Sequence, residues 1–345
     1  MAQGVIPVLD FNNFFLSYQD GYFRSLEVQP ILDFKAGDAL VAYRDTRGNL
    51  RLYDGVKRRD ITNLNVQYEV SDYLMGYMIG PTLNMWDQGK LSTLTYFARD
   101  FAVKDSIVVF EDTRFNTMNV YWQDSSYMLS TLMRDLEMPS AIGENVVVFK
   151  DNGNMYKVFW NGNIYEIDVW NNQQYVSFAV GTDIVCFNDP TTQTFAVFDK
   201  GAFYDIEQLP MARYKAGRGF VVYEDNSGNL WYYSDGENFQ LSNFGADFWD
   251  VKDDIVVWTE SAYFFIYCDG KKTEVSNFKP LDYKIKNDVL AFRNILGGVN
   301  AFVDGISYEL TNMPESQYEI YGSRVLVSLF NNSFIVLEDG VQYKN

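Results

Sequence analysis

FNNFFLSYQDG, Phe11–Gly21, returns near the far end of the chain as FNNSFIVLEDG, Phe330–Gly340, with six of eleven positions identical and no gap. A phrase repeated across a 345-residue chain points to a tandem array, and the sequence between the two copies fills it in. The aromatic residue closing each β-rich run falls at Tyr43, Tyr77, Phe110, Phe149, Phe187, Tyr223, Trp258 and Phe292, in steps of 33 to 39 residues. The runs read ALVAY, YLMGY, SIVVF, VVVF, DIVCF, FVVY, DIVVW and DVLAF, with RVLVS following at 324–328.

Other columns share this period. Two-residue turns read Asp-Gly at 20, 54, 235, 269, 304 and 339, Gln-Gly at 88, Asp-Ser at 124, Asn-Gly at 161 and Lys-Gly at 200. Ten turns predict ten units, and Asn-Gly or Asp-Gly suits the type I′ hairpin, whose two central residues both need positive φ. ITN, LSN, VSN and LTN recur past the following strand, and short runs such as DFKAGD, FAVGT and YKAGR precede each aromatic strand. Each unit therefore reads as four short strands, a to d. Tight turns join a to b and c to d, while longer loops join b to c and d to the next a. A meander of this kind puts both long connections at one end of each sheet, where binding residues concentrate.

The fold these columns predict is all-β: a β-propeller of about ten compact four-stranded blades in a single domain, 1–345. Fewer blades with peripheral extra units, or a β-solenoid, are the alternatives. The two echoing phrases should lie in adjacent blades at the seam.

The order of aromatic strand, Asp-Gly turn and L[ST]N resembles the TolB-like or WD40-like propeller repeat of bacterial envelope proteins. The passages closest to it are AGDALVAYRDTRGNLRLYDG at 36–55 and DDIVVWTESAYFFIYCDGKKTEVSN at 253–277. The Asn- and Tyr-rich style is similar to envelope proteins of the Bacteroidota. That resemblance implies a periplasmic propeller associated with type nine secretion, in its most specific form the plug subunit of the translocon. MAQGVIP at the amino terminus reads as a mature start from which a signal peptide has been removed and Met restored.

Composition narrows the chemistry. A net charge of −18 and a pI near 4.4 exclude a nucleic-acid partner, which would require clustered Lys and Arg. The chain has no histidine, so it lacks the commonest general base and metal ligand. GxSxG, HExxH, Walker A and CxxC motifs are absent. The expectation is a protein that is not an enzyme and uses no cofactor; a lyase or hydrolase built on Asp, Tyr and Lys is the alternative. Cys186 and Cys268 lie two repeats apart in strand-like runs, an unlikely spacing for a disulfide. No apolar run approaches the ~20 residues of a membrane-spanning helix.

Two candidate sites face a protein partner in this reading. One is the acid following strand b, at Asp45, Asp112, Asp151, Asp189 and Asp225, which as a set could bind cations or the basic side chains of a partner. The competing reading is an Asx turn, in which each carboxylate accepts N–H groups of its own loop. One carboxylate per blade cannot supply the six to eight oxygens calcium needs, so no metal is expected. The other candidate is a set of loop aromatics, Trp170, Phe244, Phe248 and Trp249, as a protein anchor or a platform for a sugar ring.

Overall fold

The computed structural model describes residues 4–19, 21–131, 138–139, 141–170, 176–330 and 332–345, without the side chains of 168–170. Among these residues every regular element is a β-strand. Nine antiparallel sheets follow one another along the chain, eight of four strands and a first of six. The six-stranded sheet holds two blades. Its 15-residue strand Tyr22–Ala36 pairs through its first half with Phe14–Gln19 and through its second with Val41–Asp45. It is thus strand d of blade 1 and strand a of blade 2, and the total is ten blades, blade 1 having strands b, c and d.

Glu27 explains why this connection stays extended. Its buried carboxylate accepts Tyr43 Oη at 2.7 Å and pairs with Arg51 at 2.5 Å and Arg58 at 3.3 Å. Three donors hold the middle of the strand against blade 2, and Pro30 favours an extended backbone there.

Strand b is apolar on both faces because each blade is packed between neighbours. Ile107–Asp112 and Ile255–Glu260 are buried at every position. All eight residues of the aromatic column are buried, Tyr43, Tyr223 and Trp258 completely. Strand d is the outer, wetter edge; Glu237–Gln240 is exposed throughout. The c–d turns follow the expected hairpin chemistry at Gln88-Gly89, Asn161-Gly162, Lys200-Gly201, Asp235-Gly236, Asp269-Gly270, Asp304-Gly305 and Asp339-Gly340, with positive φ at both residues. The turn assigned to Asp124 is centred one residue earlier, on Gln123-Asp124. At Asp54 the loop is longer: its carboxylate accepts the N–H groups of Val56 and Lys57, and only Gly55 has positive φ. Asp20, of the first turn, lies outside the described residues.

The chain divides into two compact units, one of residues 1–138, 328–336 and 343–345, the other of 139–327 and 337–342. In the first, the echoing phrases meet. Phe11 N donates to Asn332 Oδ1 at 3.0 Å, and the ring pairs Phe23–Phe334 and Tyr18–Tyr343 pack at a tilt with centres 5.6 and 5.9 Å apart. Successive a–b turns are also bonded: Val5 N to Asp38 O at 3.1 Å and Ala39 N to Asp72 O at 2.9 Å.

Within the second unit the turns are bonded in the same way, Asp183 N to Glu144 O at 3.1 Å, Thr182 N to Gly217 O at 3.2 Å and Arg218 N to Asp253 O at 2.7 Å. The turns approach so closely that a Cβ on Gly181 would lie 1.8 Å from Gly217 O, and one on Gly143 would lie 2.2 Å from Gly181 O. Neither glycine has positive φ. Space, and not backbone conformation, demands glycine at both positions.

Candidate functional site

The acids after strand b act first on their own loops. Asp45 Oδ1 accepts the N–H groups of Arg47 and Asn49 at 2.9 and 3.0 Å. Asp225 accepts those of Ser227 and Asn229 at 2.8 and 2.9 Å, and Asp151 those of Gly153 and Met155 at 2.8 and 3.0 Å. Asp112 and Asp189 hold two N–H groups each in the same way. Burial alone would raise the carboxyls of Asp45, Asp151 and Asp225, but the loop N–H donors, with Asn49 and Arg51, Lys157, and Trp231 and Asn229 respectively, hold them below the ordinary aspartate value.

Blade 9 indicates what this position requires. There Asn294 makes the same two bonds, to Leu296 N at 2.9 Å and Gly298 N at 3.1 Å. A neutral amide serves, so the loop asks for an acceptor more than a charge. Asp189, held by the N–H groups of Thr191 and Thr192, is the clean test: Asp189→Asn is expected to leave the urea midpoint nearly unchanged, and Asp189→Ala to cost about 0.5–1.5 kcal/mol by removing that acceptor. Equal losses in the two variants would contradict this account.

The loop aromatics divide. Trp249 is buried, with Nε1 donating to Glu224 Oε2 at 3.0 Å and its ring covered by Arg213 at 5.0 Å and Lys215 at 5.7 Å. Phe248 is half-buried against Tyr283, ring to ring at 5.6 Å, with Lys279 over its face at 4.2 Å. Phe244 projects, 65% exposed, from a connection whose backbone is pinned by Glu260, which accepts the N–H groups of Asn243 and Phe244 at 3.0 and 3.2 Å. Trp170 ends a strand, and its side chain lies outside the described residues.

A stronger surface lies in the first unit, where the connection between blades 3 and 4 meets the b–c loop of blade 4. Tyr96 and Phe115 are 65% and 66% exposed, and Phe97 is 41% exposed. The Arg114 guanidinium sits between the rings of Phe97 and Phe115, 5.5 and 5.1 Å from their centres. Thr113 ties the two segments together, its N–H and Oγ1 both donating to Phe97 O at 2.8 Å. The result is an exposed apolar platform with a fixed cation. EDTRFNT marks this loop in the sequence, but its pairing with Tyr96 and Phe97 needs the blade-to-blade contact.

The tight-turn end of the second unit is acidic. Burial, then the neighbouring carboxylates of Asp253, Asp288 and Asp269, raise Asp254 against the pull of Arg218, while burial and the charges of Asp304 and Asp269 raise Asp288. Cys268 nearby is free and pushed up to about 12 by burial and these acids. No group of three or more metal-binding side chains occurs among the described residues. Among the described residues no helix is long and apolar enough to cross a membrane.

A family model described as a 10-bladed beta propeller domain matches residues 1–343. No curated protein matches. Among solved structures, the computationally designed Ika8 protein is 14% identical, with 84% of this chain and 96% of that one covered and a TM-score of 0.36. Prp20p from Saccharomyces cerevisiae is 10% identical over 75% of this chain and 92% of its own, at a TM-score of 0.35. Human WBSCR16 is 7% identical over 63% and 79%, at 0.37.

Proposed function

Because the chain belongs to the family of 10-bladed beta propeller domains, we propose that it is a non-catalytic docking protein whose long-loop ends bind a protein partner. The observation that carries this reading is the Tyr96, Phe97, Arg114 and Phe115 platform. Exposed aromatics around an arginine are the residue types that dominate protein interfaces, and a platform already ordered by Thr113 loses little freedom on binding. Caps such as Asp112 hold the loop from below, so the residues beneath the platform are occupied structurally and its apex is left for recognition. Propellers commonly work as such scaffolds.

In its finer form the proposal places the protein in the periplasm of a bacterial envelope, docked to an outer-membrane secretion translocon. That placement rests on the likeness of the repeats to those of envelope propellers. Affinity purification from gently solubilised membranes should recover an outer-membrane complex. Phe115→Ser should reduce that recovery at least about tenfold with an unchanged melting temperature, because the side chain is exposed and its loss costs the fold little. Recovery of the protein alone, or full recovery with Phe115→Ser, would count against the reading.

A further inference from the structure

Strands a of blades 8 to 10, Phe248–Lys252, Asp282–Lys286 and Gln317–Tyr321, line an open cavity of about 320 Å³ whose walls carry Asp250, Lys252, Lys284, Lys286, Glu319 and, between them, Tyr283, Ile285 and Ile320. Three of these eight residues are lysines, in a chain where only 28 of 345 residues are Lys or Arg and acids outnumber them at 46. The concentration runs against the composition of the whole protein.

The acids of the lining are already engaged. Asp250 pairs with Lys215 and accepts Tyr283 Oη at 2.6 Å. These partners hold its carboxyl below the ordinary value although burial opposes them. Glu319 pairs with Lys284, whose ammonium also donates to Tyr318 O at 2.9 Å. Lys252 is exposed and has no ion pair among the described residues. Lys284 and Lys286, two residues apart on one strand, present their ammoniums on the same side. The acidic turn residues Asp253, Asp254 and Asp288 are not part of the lining; Asp254 is held by Arg218, and Asp253 accepts Asn287 N at 2.8 Å.

We infer that this cavity binds a small organic anion carrying at least two negative charges, a polycarboxylate or a phosphate ester, met first by Lys252, with Lys284 and Lys286 of the next blade completing the cationic wall. The volume falls in the range of small-molecule sites, about 300–1,000 Å³. Repulsion from the rest of the chain acts mainly beyond about 8 Å at physiological salt, where it is screened, whereas the lysines act at contact.

The test is calorimetric titration of the full chain with citrate and, separately, with pyrophosphate, at low and at physiological salt. Saturable binding of either at one site is expected; citrate alone would assign a polycarboxylate, and pyrophosphate alone a phosphate ester. Lys252→Glu and Lys252→Gln should weaken it at least about tenfold, with the charge reversal the more severe, and unchanged near-ultraviolet circular dichroism would confirm the fold. Lys271→Glu, on the exposed outer strand of blade 8, should bind as the parent does. Absence of saturable binding to both anions, or equal binding by the parent and Lys252→Glu, would overturn the inference.

Discussion

Gly181→Ala is expected to destabilise the second unit by about 3 kcal/mol or more, at the upper end of the cost of overpacking, and to lower its thermal midpoint by about 6–12 °C. The reason is local. A methyl group there would sit 1.8 Å from Gly217 O, and the obstacle is backbone, which cannot turn aside as a side chain could. Relief requires the two turns to part. That movement breaks the bond from Thr182 N to Gly217 O at 3.2 Å and the return bond from Gly219 N to Thr182 O at 3.0 Å. Gly245→Ala supplies the control: an added Cβ would meet nothing nearer than 3.7 Å, and its φ is not positive, so stability should hold or rise slightly. Thermal and urea unfolding followed by circular dichroism would check both, and a Gly181→Ala protein as stable as the parent would show that the turns are not in contact.

Glu260→Ala should cost about 2–3 kcal/mol, because it removes a buried carboxylate that accepts four donors, although its cationic partner Lys272 is exposed. Glu260 is 5% exposed. Its Oε2 accepts Trp258 Nε1 at 3.3 Å and Lys272 Nζ at 3.1 Å, while Oε1 takes the two N–H groups of the Phe244 connection. Lys272 also lies 4.6 Å from the centre of the Phe265 ring but is exposed, so solvent takes up its charge and the loss falls on Trp258 and the connection. Burial alone would raise this carboxyl, but Trp258, Lys272 and Asn243 N together hold it below the ordinary glutamate value.

The sign of the pH dependence follows. A depressed carboxyl contributes fully above its unfolded value, about 4.3, and that contribution is lost as pH falls through the lower folded value. Glu260→Gln should therefore be less stable at pH 7 and lose less than the parent on acidification. Its amide would also turn a donor toward Trp258 and Lys272, which are donors themselves. Parallel stability curves for parent and Gln variant between pH 7 and 3 would exclude this role.

What the sequence disclosed was whatever a single repeat encodes. The Tyr43 to Phe292 column is buried in all eight blades because strand b is enclosed on both faces, and that pattern is visible as an unbroken apolar run. The Asp45 and Asp225 loops could be read as Asx turns since their donors lie two to four residues away. Features made between repeats were hidden. Trp249 is covered by Arg213 and Lys215 from the preceding blade, more than thirty residues upstream, so its burial has no local sign. Gly37, Gly143 and Gly181 stand out in the turn runs as small residues, but nothing local says that the next turn fills the space beside them. The lysines of the cavity become a group only when strands of three blades are laid side by side.

The shared strand Tyr22–Ala36 gives blades 1 and 2 a mechanical character the later blades lack. Tension entering at Tyr22 passes along a continuous backbone hydrogen-bonded at both ends, Gln19 against Tyr22 and Ala36 against Val41, with no slack loop to lengthen first. Between blades 2 and 3, by contrast, residues 63–66 form a connection outside any strand that can extend before the next sheet bears load. Under force the first two blades behave as one stiff plate and yield together, whereas blade 3 can peel away from them like a link of a chain.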